Sequence, residues 1–292
     1  MAVEKKRLFI KITREYLPQH SDRHPFIYLE RGRLEVDDSS IKWIDCDGNI
    51  VPIPVALIGT LLLGPGVSVT HEAIKVLAAS NCFAAWVGED SLLFYAAGFI
   101  PTANTYNLNR QIQLYADESS RLEVAKRMFK ERFPGVDLKN KNLPMLMGME
   151  GGRVKALYIR MAKKYQIAWK GRRFIPGKFE SSDMTNKCIT ACNTALYAII
   201  CACLHAMGFS PRIGFIHSGS PLPFAYDIAD LYKEYYCIDL AFSLTHELNG
   251  HYQREKVREA FLNRVIEGDL IKNITLDVMR VLGLKDACTY CK

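Results

Sequence analysis

Four residues whose side chains can bind a metal ion or transfer protons occur in two separate stretches of the chain. Glu150 lies in MGMEGGRVKALY, His217 lies in RIGFIHSGSP, and Asp227 and Asp230 lie in PFAYDIADLYK. Carboxylate oxygens with one imidazole, and no cysteine within either stretch, suit Mg²⁺ or Mn²⁺. If the two stretches meet in the fold, they predict a divalent-metal site with one Glu, one His and one or two Asp.

The position of Glu150 on its helix is unusual for a carboxylate. Val154, Leu157 and Met161 follow it at spacings of four, three and four, which places the carboxylate on the apolar face of a helix. An ionised carboxylate on that face needs a compensating charge or hydrogen bonds. The alternative interpretation is a glutamate near a helix start whose head group turns to solvent.

The other three candidates also have structural alternatives. His217 follows a short apolar run and precedes a Gly/Ser/Pro turn, where a histidine can be purely structural. Asp227 and Asp230, three residues apart, share one face of a helix start, and the helix dipole alone favours carboxylates there. The combination therefore carries more weight than any single residue.

Positive charge is concentrated just after Glu150. The window 150–187 holds ten basic and three acidic residues, a net charge of +7 that equals the formal charge of the whole 292-residue chain. Aromatic residues are interleaved, and exposed rings stack on unpaired bases while cations neutralise phosphates. The window predicts binding of nucleic acid, although a solvated helix face with its rings in the core is the alternative. The candidate DNA-binding residues within it are Arg153, Lys163, Lys164, Lys170, Arg172, Arg173 and Phe174.

The elements that must position these residues fall into two classes. Residues 26–98 contain short apolar runs: FIYLE and LEVDD around Arg31-Gly32, and IKWID and IVPIP around 46–49, are typical of two hairpins. ALIGTLLLG and CFAAWVG are typical of strands buried on both faces, with a helix, HEAIKVLAAS, between them. Together they favour a small β-sandwich.

Helical periodicity replaces this pattern after a polar linker at 101–107. We expect a helix with Leu122, Ala125, Met128, Phe129 and Phe133 on one face that ends at Pro134-Gly135. Further helices are predicted over 146–166, over 183–207 and from Pro223. The predicted fold class is α+β: a β-sandwich-like domain at 1–100 followed by a larger all-helical catalytic domain at 108–292.

Residues 188–211 contain no Asp, Glu, Lys or Arg and are long enough to span a bilayer. Several polar residues within the stretch and charged flanks favour a buried helix of a soluble protein instead. No secretory signal is recognisable at the N-terminus, and nine cysteines, an odd number, indicate reduced thiols. We therefore expect a cytoplasmic protein without a membrane partner, and assign no role to the Cys288/Cys291 pair.

Two long motifs identify a resemblance. MGMEGGRVKALYIRMAKKYQIAWKGRRF and IGFIHSGSPLPFAYDIADLYK, preceded in order by GPGVSVTHEAIKVLAASNCFAAWVGE and RMFKERF, resemble the DNA integrase-nuclease subunit of CRISPR adaptation, in the form found with type I-E systems. The resemblance extends over about residues 25–265. It implies a β domain followed by a helical domain, a homodimer, and a small ferredoxin-like partner subunit.

The resemblance also implies an activity and its residues. The family captures duplex DNA with single-stranded 3′ ends and inserts it at the CRISPR leader-repeat junction by attack of a 3′-hydroxyl on a phosphodiester; with water as nucleophile the site acts as a nuclease. Its metal ligands correspond to Glu150, His217 and Asp230, and Asp227 to a second acidic position beside the site, so Mg²⁺ or Mn²⁺ is the implied cofactor. Tyr197 and Tyr226 keep the aromatic character of positions that contact DNA in the family. Arg258 lies in a basic segment that is either near DNA or simply solvated.

Some positions depart from the family pattern. Ser220 and Met147 stand where members can carry basic residues, which leaves base-specific trimming of the captured DNA undetermined. Arg31 stands where some relatives have an aromatic wedge that splays the duplex end, and Tyr28 is a candidate substitute. The alternatives to an integrase are a stand-alone structure-specific nuclease or resolvase and a catalytically silent DNA-binding scaffold.

Overall fold

The computed structural model describes residues 17–18, 22–37, 40–88, 94–97, 105–173 and 182–284. Its elements confirm the predicted α+β class, with a β-rich N-terminal part followed by a larger helical part. The strands are β1 His24–Leu29, β2 Gly32–Asp37, β3 Ser40–Asp45, β4 Ile50–Ile53, β5 Ile58–Leu63, β6 Val67–Val69, β7 Phe83–Val87 and β8 Phe94–Ala97. The helices are α1 His71–Ala79, α2 Tyr106–Ala116, α3 Glu118–Arg132, α4 Leu143–Lys164, α5 Met184–Ala206, α6 Pro223–Ala229, α7 Leu240–Glu247, α8 Arg254–Glu267 and α9 Leu270–Leu282.

The strands form two four-stranded sheets. The first has the order β1-β5-β7-β8, with β1, β5 and β7 parallel and β8 antiparallel; the second has the order β4-β3-β2-β6. The predicted hairpin around 46–49 is confirmed, because Ile41 pairs with Ile53 and Ile44 with Ile50. The two sheets pack on each other as the sequence predicted for a sandwich.

The other predicted hairpin, around Arg31-Gly32, is wrong. β1 pairs in parallel with β5, and β2 belongs to the other sheet, where it pairs with β3. The chain turns between the sheets at Arg31, which has a φ of 55°, and Arg31 donates its backbone N–H to the carbonyl of Pro65. A Cβ at Gly32 would lie 2.4 Å from the carbonyl oxygen of Ile44, so this crossing requires glycine.

Alternation along the central strand β5 joins the sandwich to the helical part. Leu61 and Leu63 face the second sheet and pack with Leu34, whereas Leu62 faces the helices and shares their core with Phe83. All six residues of β5 are buried, as expected for a strand covered on both faces. The first sheet therefore packs against the second sheet on one face and against the helical part on the other.

α5 is the central helix of the larger part. Asp183 caps its start by accepting a hydrogen bond from the backbone N–H of Asn186 at 2.9 Å, and Met207 follows its last residue, close to the predicted bounds of 183–207. By length and hydropathy α5 alone among the described helices could cross a membrane, but 83% of its apolar window is buried inside the fold. The other helices pack around it.

The remaining helix predictions are confirmed with small shifts. α3 buries Ala125, Met128 and Phe129 and ends at Arg132, just before Phe133, and α4 and α6 begin at Leu143 and Pro223. The domain boundary stays a prediction: residues 101–104 lie outside the described residues, and Tyr106 already begins α2.

Candidate metal centre

Asp227, on α6, holds His217 in place, and the loop that contains His217 lies close against α6. The Asp227 carboxylate, which is fully buried, accepts hydrogen bonds from the backbone N–H groups of Phe215 at 2.6 Å, Ile216 at 3.1 Å and His217 at 2.9 Å. It also lies 2.7 Å from Nδ1 of His217. A Cβ at Gly214 would lie 2.6 Å from the Cβ of Pro223, so only glycine allows this approach.

This arrangement determines which nitrogen of His217 is available. Because a carboxylate only accepts hydrogen bonds, Nδ1 carries the proton in the neutral ring, and Nε2 presents a lone pair. Nε2 lies 3.8 Å from Oδ2 of Asp230. The hydrogen bond to Asp227 raises the pKa of His217 above its ordinary value, although partial burial acts in the opposite direction. Asp227 is thus a positioning residue, of the kind that commonly orients a metal-binding histidine.

Asp230 is held in place by Lys233, one turn further along. The Lys233 Nζ lies 2.7 Å from Oδ1 of Asp230, and the side chain of Asp230 is only 9% exposed. Burial opposes ionisation of Asp230, but the charges of Lys233 and Arg132 outweigh it, so the pKa of this carboxyl lies below its ordinary value. Lys233 also lies over the ring of Tyr197, 5.1 Å from its centroid. Asp230 is therefore an ionised, nearly buried carboxylate.

Glu150 reaches the same place from α4, and Arg132 lies between it and Asp230. The Arg132 Nη2 is 2.5 Å from Oε1 of Glu150, and its Nη1 is 3.7 Å from Oδ2 of Asp230. Arg132 occupies the last position of α3, with a side chain that is 9% exposed. The buried-face placement of Glu150 predicted from the helix spacing is explained by this guanidinium, which compensates both carboxylates.

The two stretches that carry the candidate ligands thus meet around one guanidinium. In the part of the chain that the structure describes, no three His, Cys, Asp or Glu side chains are grouped closely enough to hold one metal ion. The Arg132 guanidinium contacts both Glu150 and Asp230. The donor chemistry nevertheless fits Mg²⁺ or Mn²⁺: two carboxylates, one free imidazole nitrogen, and a second carboxylate that fixes the histidine. Moreover, Nη1 of Arg132 is buried without a hydrogen bond to any described residue.

Aromatic side chains line the histidine side of this centre. The rings of Tyr197 and Tyr226 meet edge to face with centroids 4.8 Å apart, and Tyr226 lies 6.2 Å from the ring of His217. Burial raises the pKa of both tyrosine hydroxyls. Both predicted contact tyrosines therefore lie beside the predicted ligands, and neither is fully exposed.

The predicted DNA-binding residues fall into two groups. Lys163, Lys170 and Arg173 are exposed. Arg153 is exposed as well and lies over the ring of Phe133, 4.6 Å from its centroid. Phe174 lies outside the described residues.

The second group is already engaged within the fold. Arg172 donates hydrogen bonds to Oδ1 of Asn186 and Oγ1 of Thr190, both at 2.9 Å, and thereby ties the segment before it to α5. Lys164 lies 2.7 Å from the carboxylate of Asp239, and Arg258 lies over the ring of Tyr28, 4.4 Å from its centroid. The sequence grouped these lysines and arginines by charge. Charge alone does not distinguish a cation that forms contacts within the fold from one that is exposed to solvent.

The positions that depart from the family pattern have definite surroundings. The Tyr28 hydroxyl donates to Glu30 at 2.7 Å, and its ring lies beneath Arg258, so it is not free to enter a duplex end. Met147 is 44% exposed on α4, and Arg31 is exposed at the crossing between the sheets. The Ser220 hydroxyl is buried without a hydrogen bond to any described residue.

Sequence reasoning missed Arg132 and Lys233 as parts of this centre. Lys233 had a usable signal, because it follows Asp230 by three residues, a spacing that makes side chains neighbours on a predicted helix. Arg132 had only a weak one, a basic residue at a helix end next to Phe133 and Pro134. Its partners are far away in sequence and become visible only in the fold.

Comparison with known proteins gives a consistent result. A family model described as CRISPR associated protein Cas1 matches residues 132–274. The chain is similar to the CRISPR-associated endonuclease Cas1 2 of Chlorobaculum tepidum, with 60% identity over 279 residues that cover 96% of this chain and 94% of that protein. It is similar to the CRISPR-associated endonuclease Cas1 of a Clostridium species, with 36% identity, 92% of this chain and 90% of that protein. Among solved structures, it resembles TtCas1 in complex with DNA, with a TM-score of 0.78, 35% identity, 88% of this chain and 91% of that chain.

Proposed function

The chain belongs to the Cas1 family of CRISPR-associated proteins, and from this premise we propose that it is a divalent-metal-dependent DNA integrase and endonuclease that inserts captured DNA into a CRISPR array. One observation carries the proposal. Glu150 and Asp230, from two distant stretches, both contact the nearly buried Arg132 guanidinium, and Nε2 of His217 lies 3.8 Å from Oδ2 of Asp230.

The proposed metal ligands are Glu150, Asp230 and Nε2 of His217. If bound there, Mg²⁺ or Mn²⁺ would supply Lewis-acid chemistry toward the phosphodiester. Asp227 fixes the imidazole by holding both Nδ1 and the backbone of its loop. Lys233 keeps Asp230 ionised and oriented.

The reaction that we propose exchanges one phosphodiester for another. The 3′-hydroxyl oxygen of the captured fragment forms a bond to a phosphorus of the repeat and loses its proton. The repeat's own bond from that phosphorus to a 3′ oxygen breaks, and this oxygen takes up a proton and leaves as a hydroxyl. Because the number of phosphodiesters is unchanged, no nucleotide cofactor is required. With water as nucleophile, the same groups would perform endonucleolytic cleavage.

The route of the DNA is inferred from the exposed cations. Lys163, Lys170 and Arg173, with Arg153 nearer Phe133, would neutralise phosphates, and Tyr197 and Tyr226 would contact the reacting end. TtCas1, to which the chain is 35% identical, has been solved in complex with DNA. The expected substrates are duplex DNA with single-stranded 3′ ends and the leader-repeat junction.

The assembly and subtype are part of the same proposal. The motifs around Glu150 and His217 favour the type I-E-like form, which would act in the cytoplasm as a homodimer with a small ferredoxin-like partner subunit. The substitutions at Ser220 and Met147 mean that recognition of a motif beside the captured DNA would use other groups.

A catalytically silent DNA-binding scaffold is the second candidate. It is favoured by the ion pairs of Arg132, which already compensate Glu150 and Asp230 and leave no three-ligand cluster among the described residues. Such a scaffold would bind DNA identically with and without EDTA, whereas the proposed enzyme would lose DNA joining on chelation.

The direct test is a joining assay with the purified chain, its partner subunit, a 3′-hydroxyl oligonucleotide and a repeat-containing plasmid. We expect joining with Mg²⁺ or Mn²⁺, and its loss in His217→Ala and Asp230→Ala with the circular dichroism spectrum retained. His71→Ala is the matched control, because His71 is exposed on α1 in the β-rich part. Undiminished joining by Asp230→Ala would overturn the assignment.

A further inference from the structure

We propose that Arg132 is an internal cation that competes with the divalent metal for Glu150 and Asp230, so that metal binding requires its displacement. This inference rests on the proposed function, since it assumes that these two carboxylates are metal ligands. It makes Arg132 a positioning residue that determines how tightly and how selectively the centre takes up a metal ion.

The Arg132 guanidinium lies against both carboxylates. It is in contact with Glu150 at 2.5 Å through Nη2 and approaches Asp230 to 3.7 Å through Nη1. The contact with Glu150 is a full ion pair, whereas Nη1 makes no hydrogen bond to any described residue. Arg132 therefore occupies the space between the two carboxylates without completing the hydrogen bonds that a permanent partner would have.

Two aromatic rings hold the Arg132 side chain in place. The guanidinium carbon of Arg132 lies 5.1 Å from the ring centroid of Phe133 and 5.8 Å from that of Phe129. Stacking on aromatic faces fixes a guanidinium in a defined plane. Its side chain is only 9% exposed, so it is not a mobile surface charge that happens to approach the site.

The charge of Arg132 has the same sign as that of the metal ion. Two nearly buried carboxylates are costly without a compensating cation, and Arg132 supplies one in the absence of metal. A divalent ion ligated directly by the same oxygens would place like charges next to each other if the guanidinium stayed in the gap. A bound metal ion must therefore replace Arg132 at the two carboxylates. The same ligands bind the ion more weakly when Arg132 is present than they would if it were absent.

The experiment is a titration of the full-length protein with Mn²⁺, followed by electron paramagnetic resonance of the free ion and by calorimetry. Arg132→Met keeps an unbranched side chain against Phe129 and Phe133 but removes the charge. We expect it to bind Mn²⁺ about tenfold or more tightly than the unaltered chain does. In EDTA, Arg132→Met should have a lower melting temperature than the unaltered chain. Added Mn²⁺ should raise the melting temperature of Arg132→Met by more than it raises that of the unaltered chain. Lys130→Met, an exposed residue on the same helix, removes the same net charge and should leave the affinity within about twofold.

Arg132→Lys is a second variant that tests the inference if Arg132→Met does not fold. A lysine keeps the charge but lacks the planar fork that spans two carboxylates, so its affinity for Mn²⁺ should fall between those of Arg132→Met and the unaltered chain. Equal or weaker binding by both folded variants, or by Arg132→Lys if Arg132→Met does not fold, would overturn the inference.

Failure of the proposed function would look different. If no variant binds Mn²⁺ in a manner sensitive to His217→Ala, the metal site itself is wrong. If the unaltered chain binds Mn²⁺ through His217 but replacement of Arg132 does not tighten binding, only the competition by Arg132 is wrong.

Discussion

Asp227 performs the most demanding task of any single residue in the centre. Its carboxylate, which is fully buried, accepts from three consecutive backbone N–H groups and holds the imidazole of His217. An asparagine of the same shape would direct an NH₂ group at some of these donors and leave them unsatisfied. The shape of the loop thus depends on the charge of this residue.

We predict that Asp227→Asn lowers the free energy of unfolding by about 2–3 kcal/mol and abolishes DNA joining. Denaturation in guanidinium chloride measures the stability. Asp37→Asn is the control, since the Asp37 side chain is 63% exposed and 3.4 Å from Lys42, and should change stability by no more than about 0.5 kcal/mol. A stability loss no larger than that of Asp37→Asn would contradict this role of Asp227.

His205 is a residue away from the centre whose protonation affects the stability of the fold. It stacks on Phe83 with ring centroids 5.5 Å apart, and burial lowers its pKa to about 4. In the unfolded chain a histidine titrates near 6.5. Between these values the unfolded state binds a proton that the folded state does not, so stability falls as the pH decreases through this window.

We expect His205→Leu to remove this loss of stability at low pH. Between pH 7 and pH 5 the variant should lose about 1–2 kcal/mol less unfolding free energy than the unaltered chain. Urea denaturation at both pH values makes the comparison, and the histidines elsewhere cancel because both proteins contain them. Parallel pH dependences in the two proteins would contradict the assignment of this effect to His205.

At the scale of elements, the basic window around α4 combines structural and surface roles. Arg172 joins the segment after α4 to Asn186 and Thr190 on α5, and burial lowers its pKa. Lys163, near the end of α4, is exposed. Two cations nine residues apart therefore have different consequences when removed.

Arg172→Ala should lower the unfolding free energy by about 1–3 kcal/mol. Lys163→Ala should leave stability within about 0.5 kcal/mol but weaken DNA binding and reduce the slope of log affinity against log salt by about one. Fluorescence anisotropy at several salt concentrations, with denaturation of the same samples, separates the effects. Equal stability of the two variants would show that Arg172 is not an anchor.

Elements were predictable from the sequence where their determinants are local. α5 follows from a long uncharged stretch, residues 188–211, that Asp183 precedes as a helix cap, and the hairpin of β3 and β4 follows from a short turn between two apolar strands. The pairing of β1 was not predictable from the sequence. Arg31-Gly32 has the composition of a hairpin turn, but its conformation is set by hydrogen bonds with residues 65 and 66. Strand neighbours more than thirty residues apart leave no local signal.

At the scale of the whole molecule, the β-rich part and the helical part share one continuous core. Phe26 of β1 packs against Phe261 of α8 with ring centroids 6.0 Å apart, and beside them Arg254 forms an ion pair with Glu30 at 2.9 Å. The candidate ligands could be named from the sequence, since each lies in a recognisable motif. The cation between two of them could not, because Arg132 meets Glu150 and Asp230 only after three helices have packed together.

Anomalous diffraction from crystals of the protein soaked in Mn²⁺ tests most directly whether the two distant stretches form one metal centre. We expect one anomalous peak bonded to Glu150, Asp230 and Nε2 of His217, with the Arg132 guanidinium withdrawn from its present position against the two carboxylates. A peak elsewhere with Arg132 still between the two carboxylates, or no peak in crystals of a protein that joins DNA, would contradict it.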